Sequence, residues 1–247
     1  MDVPATDRAA SLAAYHQAQV VDCVRCPLHA TRTQVVPGSG DPDARVMFVG
    51  EAPGYHEDRL GVPFVGQAGK LLDQLLAGIG LTRDDVFVAN VLKCRPPENR
   101  DPLPGEIAAC EDHLRRQVAI IQPALICTLG NFSTKLLSGR PDGISRVHGC
   151  ELEITLGQTP TLLYPLYHPA AALYMPAMRS VLEEDFARIP ALIAAADARR
   201  GAARSDPDPD MRAREAAHPT VVGGNGAMAV ADDPPHAPDP AEQLGLF

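Results

Sequence analysis

The sequence predicts an α/β fold in which four short strands form a mostly parallel sheet covered on both faces by helices. Three observations carry this. Short apolar runs alternate along the chain with segments whose apolar residues recur at helical spacing. Each apolar run is bounded by glycine, proline or a polar turn residue, as buried strands are. The chain has 247 residues, 45% of them apolar, enough for one large domain with its own core.

The first helix is expected over residues 7–20, with Leu12, Tyr15 and Gln19 in line. Residues 45–50, Arg-Val-Met-Phe-Val-Gly, form the first strand, and a Gly/Pro-rich loop runs on to Gly66. A helix over 68–79 stacks Leu71, Leu72, Leu75, Leu76 and Ile79 on one side. Residues 86–90 form the second strand. The helix over 104–122 opens at Pro104 and stops before Pro123, where the ring cannot continue it. Its apolar face is Ile107, Cys110, Leu114, Val118 and Ile121. Residues 124–129 form the third strand, followed by a helix through Leu137, an extended stretch over 145–154, a fourth strand over 161–166 and a closing helix over 178–196. Residues 201–242 are rich in Pro, Asp, Gly and Ala without apolar periodicity and read as a disordered tether. The division is thus a domain over 1–196 and a tail over 197–247.

The formal net charge is −9. The segment from Asp197 to Phe247 holds five basic and nine acidic residues, so the rest of the chain is acidic too. Contact with a nucleic acid would need a local basic patch, for which Lys70, Lys93, Arg95, Arg100, Arg140 and Arg146 are the candidates. No stretch is apolar enough to span a bilayer, and the N-terminal residues lack the apolar run of a secretory signal. A soluble intracellular protein is expected.

Six cysteines point to metal or redox chemistry before disulfides in such a compartment. Cys23 and Cys26 form a CxxC pair, and folding could bring Cys94 and Cys110 to it. Four thiolates suit zinc or an iron–sulfur cluster, although no second CxxC closes the set as in a zinc ribbon. On spacing alone, the alternative is that Cys94 and Cys110 are small core residues. Cys127 and Cys150 read as structural.

Three chemically loaded segments each follow a predicted strand: Gly50-Glu51-Ala52-Pro53-Gly54, Asn90, and His168-Pro169. Ligands of open α/β sheets bind beyond the carboxyl ends of the strands. A carboxylate, an amide and an imidazole are therefore expected on one rim. Taken singly, each has a bland reading as a solvated or turn residue.

The run Gly50-Glu-Ala-Pro-Gly-Tyr-His-Glu-Asp-Arg-Leu-Gly-Val-Pro-Phe-Val-Gly-Gln-Ala-Gly-Lys-Leu-Leu-Asp73 resembles the first motif of the family 4 uracil-DNA glycosylases. Asn90-Val-Leu-Lys-Cys-Arg-Pro-Pro-Glu-Asn-Arg-Asp-Pro102 resembles their central segment, and Tyr167-His-Pro-Ala170 their second motif. The resemblance spans about residues 20–195. It implies a three-layer α/β/α sandwich and a structural 4Fe–4S cluster on Cys23, Cys26, Cys94 and Cys110. It also implies a bacterial, cytoplasmic, nucleoid-associated monomer that flips uracil out of DNA and hydrolyses its N-glycosidic bond.

On this reading Phe64 stacks on the flipped base, and Asn90 accepts from uracil N3–H while donating to O4. His168 stabilises the leaving anion at O2, and Glu51 serves water or the sugar cation. Gly50 and Ala52 line the base. Ala52 stands where the best-known uracil glycosylases carry a water-orienting Asp, and Gly54 where they carry a thymine-excluding Tyr. The resemblance gives that excluding role to Glu57. Leu173 is the candidate wedge into the DNA gap, with packing as its alternative. Lys93 leads directly into Cys94, without the basic, His-containing insertion of the covalently trapping relatives, so turnover is expected. The alternative is a silent uracil-DNA-binding iron–sulfur protein.

Gln243-Leu-Gly-Leu-Phe247 resembles the peptide by which bacterial repair proteins grip the sliding clamp, its alternative being a plain apolar tail. A flexible tether would raise the enzyme's effective concentration on clamp-loaded DNA. Deleting residues 243–247 is expected to abolish capture of the protein by immobilised bacterial clamp. Undiminished capture would dismiss the peptide.

Overall fold

The computed structural model describes residues 5–156 and 159–205, so the candidate clamp peptide Gln243–Phe247 lies outside the described residues. Helix α1 spans Ala5–Tyr15 and widens into a π-helical turn at His16–Val20. Strands β1 (Ser39–Gly40) and β2 (Val46–Gly50) follow, then helices α2 (Tyr55–Leu60) and α3 (Gln67–Gly78). Next come β3 (Phe87–Asn90), α4 (Pro104–Ile121), β4 (Leu125–Leu129), α5 (Asn131–Ser138) and α6 (Ile144–Val147). The chain continues through β5 (Leu152–Leu156), β6 (Thr159–Leu166), α7 (Pro169–Tyr174), α8 (Ala177–Ala187) and α9 (Ile189–Ser205).

The sheet has six strands in the order β1-β3-β2-β4-β6-β5. The four expected strands form its parallel centre, and β1 and β5 add antiparallel edges. Strand β1 has two residues, too few for any periodicity to announce it. The stretch expected to be extended from Ser145 first makes α6, turns at Gly149 with φ 69, and only then enters β5.

Alternating side chains of one strand serve two cores, because successive residues point to opposite faces. Val46 and Phe48 of β2 pack with Leu72 and Leu76 of α3 and with Leu182 and Phe186 of α8. Met47 and Val49 pack with Leu114, Val118 and Ile121 of α4 and with Leu12 of α1. Phe48 stacks on Phe186 at 5.6 Å between ring centroids, and both are buried.

Three helix expectations are corrected. The line Leu12–Tyr15–Gln19 fails at its end: Gln19 is exposed and Val20 buried. The π turn takes up an extra residue and shifts the buried position by one. The closing helix is two helices, α8 and α9, parted at Arg188 with Pro190 in the first turn of α9. Helix α9 also runs past the expected boundary at Ala196 to Ser205, held by ion pairs of Arg45 with Asp197 and of Arg199 with Glu153. Among the described residues, no helix is long and apolar enough to cross a membrane.

Helix α3 seats the preceding loop through direct backbone contact. A Cβ on Gly69 would lie 1.7 Å from the Phe64 carbonyl oxygen. The Arg83 guanidinium donates to that oxygen at 2.8 Å and to the Gly69 carbonyl at 3.3 Å. Gly69→Ala is expected to lower the melting temperature by roughly 5–10 °C. Gly78→Ala in the same helix, where a Cβ meets nothing within 4 Å, should leave it unchanged or raise it.

Candidate active site

Parallel pairing sets Gly50 at the end of β2 opposite Asn90 at the end of β3. The ladder continues past both strands, since Val91 N–H donates to Gly50 and Leu92 N–H to Glu51, each at 2.9 Å. Glu51 is thereby held beside the Asn90 segment. Gly50 has no room for a side chain. A Cβ there would lie 2.4 Å from Asn90 Oδ1 and 2.6 Å from Cζ of Phe64. The Phe64 ring in turn lies 5.6 Å from the His168 imidazole, inclined by 27°. Glu51, Gly50, Asn90, Phe64 and His168 are therefore contiguous at the carboxyl edge of the sheet. Ala52, by contrast, packs its side chain against the core on the α4 face.

Phe64 is buried and adopts φ 55, a conformation that a bulky residue holds only under constraint. Glu57 supplies part of it: its Oε1 accepts from the N–H groups of Val65 and Gly66, both at 2.9 Å. Its other oxygen lies 2.8 Å from where a Cβ of Gly54 would be, so the Glu57 carboxylate fills the space that Gly54 leaves.

His168 caps α7, its Nδ1 accepting from Ala170 N–H at 3.1 Å, which leaves the hydrogen of the neutral ring on Nε2. Burial pushes the imidazole down to about 4, against a smaller opposing effect of Glu57. The ring is therefore neutral at pH 7, with Nε2–H as its donor. Burial pushes Glu51 up to about 7, with Asp101 adding to the rise.

Asn90 is 2% exposed, and its Oδ1 is buried without a hydrogen-bond partner. Its carbonyl accepts from Lys93 Nζ at 2.7 Å, and the same ammonium donates to Gln117 Oε1 of α4 at 2.6 Å. Gln117 Nε2 donates to the Pro37 carbonyl at 2.6 Å and lies 2.7 Å from His16 Nε2. Lys93 is 1% exposed, so it is removed from the candidate DNA patch: the apolar neighbours in Val-Leu-Lys-Cys carry it inside. Sequence reasoning missed this brace, although a lysine in an apolar run was its signal. Arg100 and Arg140 are also engaged, in ion pairs with Glu106 and Asp142. Lys70 and Arg146 are exposed, and Arg95 is half-buried.

Cys23, Cys26, Cys94 and Cys110 line a single cavity. Donors reach two of the sulfurs, Arg32 Nη1 to Cys94 Sγ and Lys93 N–H to Cys110 Sγ, both at 3.3 Å, and His113 Nε2 lies 3.4 Å from Cys23 Sγ. Among the described residues no three or more His, Cys, Asp or Glu converge as ligands of one metal ion. Cys127 is buried in β4, whereas Cys150 is exposed and contributes nothing to a core. Beyond His168, Leu173, Tyr174 and Met175 are 47%, 77% and 41% exposed, so packing does not account for Leu173.

A model of the uracil DNA glycosylase superfamily matches residues 37–189. A type-4 uracil-DNA glycosylase of Sulfurisphaera tokodaii is 50% identical over 176 residues, covering 69% of this chain and 80% of that protein. One of Archaeoglobus fulgidus is 47% identical over 175 residues, covering 69% and 88%. One of Thermotoga maritima is 44% identical over 156 residues, covering 63% and 80%. The matched span takes in the Gly50 segment, the Asn90 segment and His168, and with them the whole contiguous rim: the chain belongs to the uracil DNA glycosylase superfamily and, within it, to the type-4 uracil-DNA glycosylases.

Proposed function

We propose that the chain excises uracil from DNA, drawing the nucleotide out of the stack, hydrolysing its N-glycosidic bond and leaving an abasic site for base excision repair. The buried, unpaired Asn90 Oδ1 carries this reading. Such an acceptor is costly unless a ligand satisfies it. Uracil N3–H is a donor of the right kind, and uracil O4 can accept from the same amide. Cytosine offers the opposite polarity at both positions and is rejected by about 1–3 kcal/mol or more. Phe64 presents its ring to the base. Glu57, filling the space beside Gly54, excludes the methyl group of thymine.

As the glycosidic bond breaks, its electron pair goes to the base and the sugar becomes cationic. The His168 Nε2–H donates to uracil O2, an interaction that strengthens as the anion forms. A neutral imidazole performs this without surrendering its proton. Glu51, as carboxylate, stabilises the sugar cation, orients the water that adds to C1′ and takes up the proton that this water loses. Lys93 is not free to form a Schiff base with the sugar, since its ammonium is spent on Asn90 and Gln117, which favours a monofunctional reaction.

We assign a 4Fe–4S cluster to Cys23, Cys26, Cys94 and Cys110. One observation supports the fit: the four thiols, two of them from the CxxC pair, line one cavity, and soft thiolates are the donors such a cluster takes. The hydrogen bonds to sulfur are of the kind that tune such clusters. When bound, the cluster supplies a cross-link between the segment after α1, the loop after β3, and α4.

Asn90→Ala and His168→Ala are each expected to lower single-turnover uracil release by about 100-fold or more while the brown cluster absorbance persists. Alkali treatment of a uracil-containing oligonucleotide reads the abasic site. Wild-type rates in both variants would move the site elsewhere, and a gel shift without strand breakage would favour a silent binder. A colourless protein with zinc would overturn the cluster assignment.

The pH profile has a definite sign. Glu51 loses its carboxylate form below about 7, so the rate should fall tenfold per pH unit below that point and level off above it. His168, at about 4, should add no second limb near neutrality. Glu51→Gln should flatten the profile at a low rate. A rate that rises towards acid would contradict both assignments.

A further inference from the structure

Tyr55 opens α2 at the edge of the pocket and remains 49% exposed. Gly54 precedes it, and Glu57, whose carboxylate pins the Phe64 loop, follows within one turn. Arg95, on the segment that leaves Asn90, brings its guanidinium carbon to 5.3 Å from the Tyr55 ring centroid. Arg59, one turn along α2, lies at 5.7 Å and donates from Nη1 to the Tyr55 hydroxyl at 3.0 Å. His56 meets the ring edge-on at 5.4 Å. Two segments that carry pocket residues thus converge on one exposed aromatic ring.

The guanidiniums around that ring meet no carboxylate among the described residues. Arg45, Arg83, Arg100, Arg179 and Arg188 each meet a carboxylate. Among the described residues Arg59 and Arg95 do not: Arg59 turns to the Tyr55 hydroxyl, and Arg95 donates from Nε to Asn99 Oδ1 at 2.6 Å. On a chain of net charge −9, two guanidiniums without counter-ions beside a half-exposed aromatic form a local anion site. Extruding a base also leaves its neighbour with one bare face, which an aromatic ring can cover.

We propose that Tyr55, Arg59 and Arg95 bind the nucleotide that flanks the extruded uracil on the same strand, its base stacked on Tyr55 and its phosphate held by the two guanidiniums. This rests on the uracil-excision reading above. It gives an acidic protein a way to grip DNA through a few built contacts instead of a broad basic face.

The test uses the full-length protein and a single-stranded oligonucleotide with one uracil flanked on either side by 2-aminopurine, in a normal and a 2′-fluoro, cleavage-resistant form. Binding of the resistant form should quench the fluorophore on one side of uracil. Tyr55→Ala should remove that quench and raise KM about tenfold with kcat unchanged, whereas Tyr55→Phe retains both. Arg59→Gln and Arg95→Gln should each reduce the salt dependence of binding by about one phosphate contact. Cluster absorbance and melting temperature report that each variant folds. Wild-type KM and quench in Tyr55→Ala, with unchanged salt slopes in both arginine variants, would overturn the proposal. So would a fall in kcat without a rise in KM. If the wild-type protein releases no uracil, the enzymatic reading fails, and the quench and salt slopes still decide the nucleotide site.

Discussion

The missing side chain at Gly50 governs the geometry of the rim. At the last rung of the β2–β3 ladder, the Asn90 amide and the Phe64 ring both occupy space that any other residue would claim. Close packing leaves no way to relieve a collision there except by moving one of these two groups. Phe64 cannot yield easily. Its left-handed backbone is clamped by Glu57 on one side and by Arg83 on the other. The rim is thus rigid because backbone and side chains interlock at one glycine, and the same interlock leaves Asn90 Oδ1 buried without a protein partner.

A buried ammonium secures the other side of Asn90. Placing Lys93 in the interior is expensive, and burial pushes it down to about 8. Its hydrogen bonds to the Asn90 carbonyl and to Gln117 offset that cost and tie β3 to α4. The Lys93 N–H also donates to Cys110 Sγ of α4 at 3.3 Å, so the segment that leaves Asn90 is fastened twice to the same helix. The cluster proposed for the cysteine cavity would therefore act on the proposed base contact at a distance, because a fixed amide discriminates uracil from cytosine only if its segment does not shift.

Much of this was legible in the sequence, and the gaps have physical causes. Short apolar runs announced all four parallel strands, because strands buried on both faces must be apolar throughout. Glu51, Asn90 and His168 were legible as a group because strand ends in such sheets share one edge. The edge strands were not, since β1 is a two-residue pairing and β5 alternates half-buried with exposed positions. The π turn was invisible because a helical pattern presumes a constant repeat. Lys93 was misread as a surface cation because residue type was weighed above its apolar neighbours. The clamping role of Glu57 had no local signal, as its partners Val65 and Gly66 are backbone donors supplied by a loop.

The cap on α7 has a further consequence. Ala170 N–H, a free end of the helix backbone, occupies Nδ1 of His168 and so dictates which ring nitrogen carries hydrogen. The positive end of the helix dipole would also resist a second proton on the ring. Secondary structure here performs a task that many enzymes assign to a dedicated carboxylate: it selects a tautomer. The role proposed for His168 accordingly depends on the folding of one short helix, and a substitution that frays its opening turn would alter the imidazole without changing any other residue of the rim.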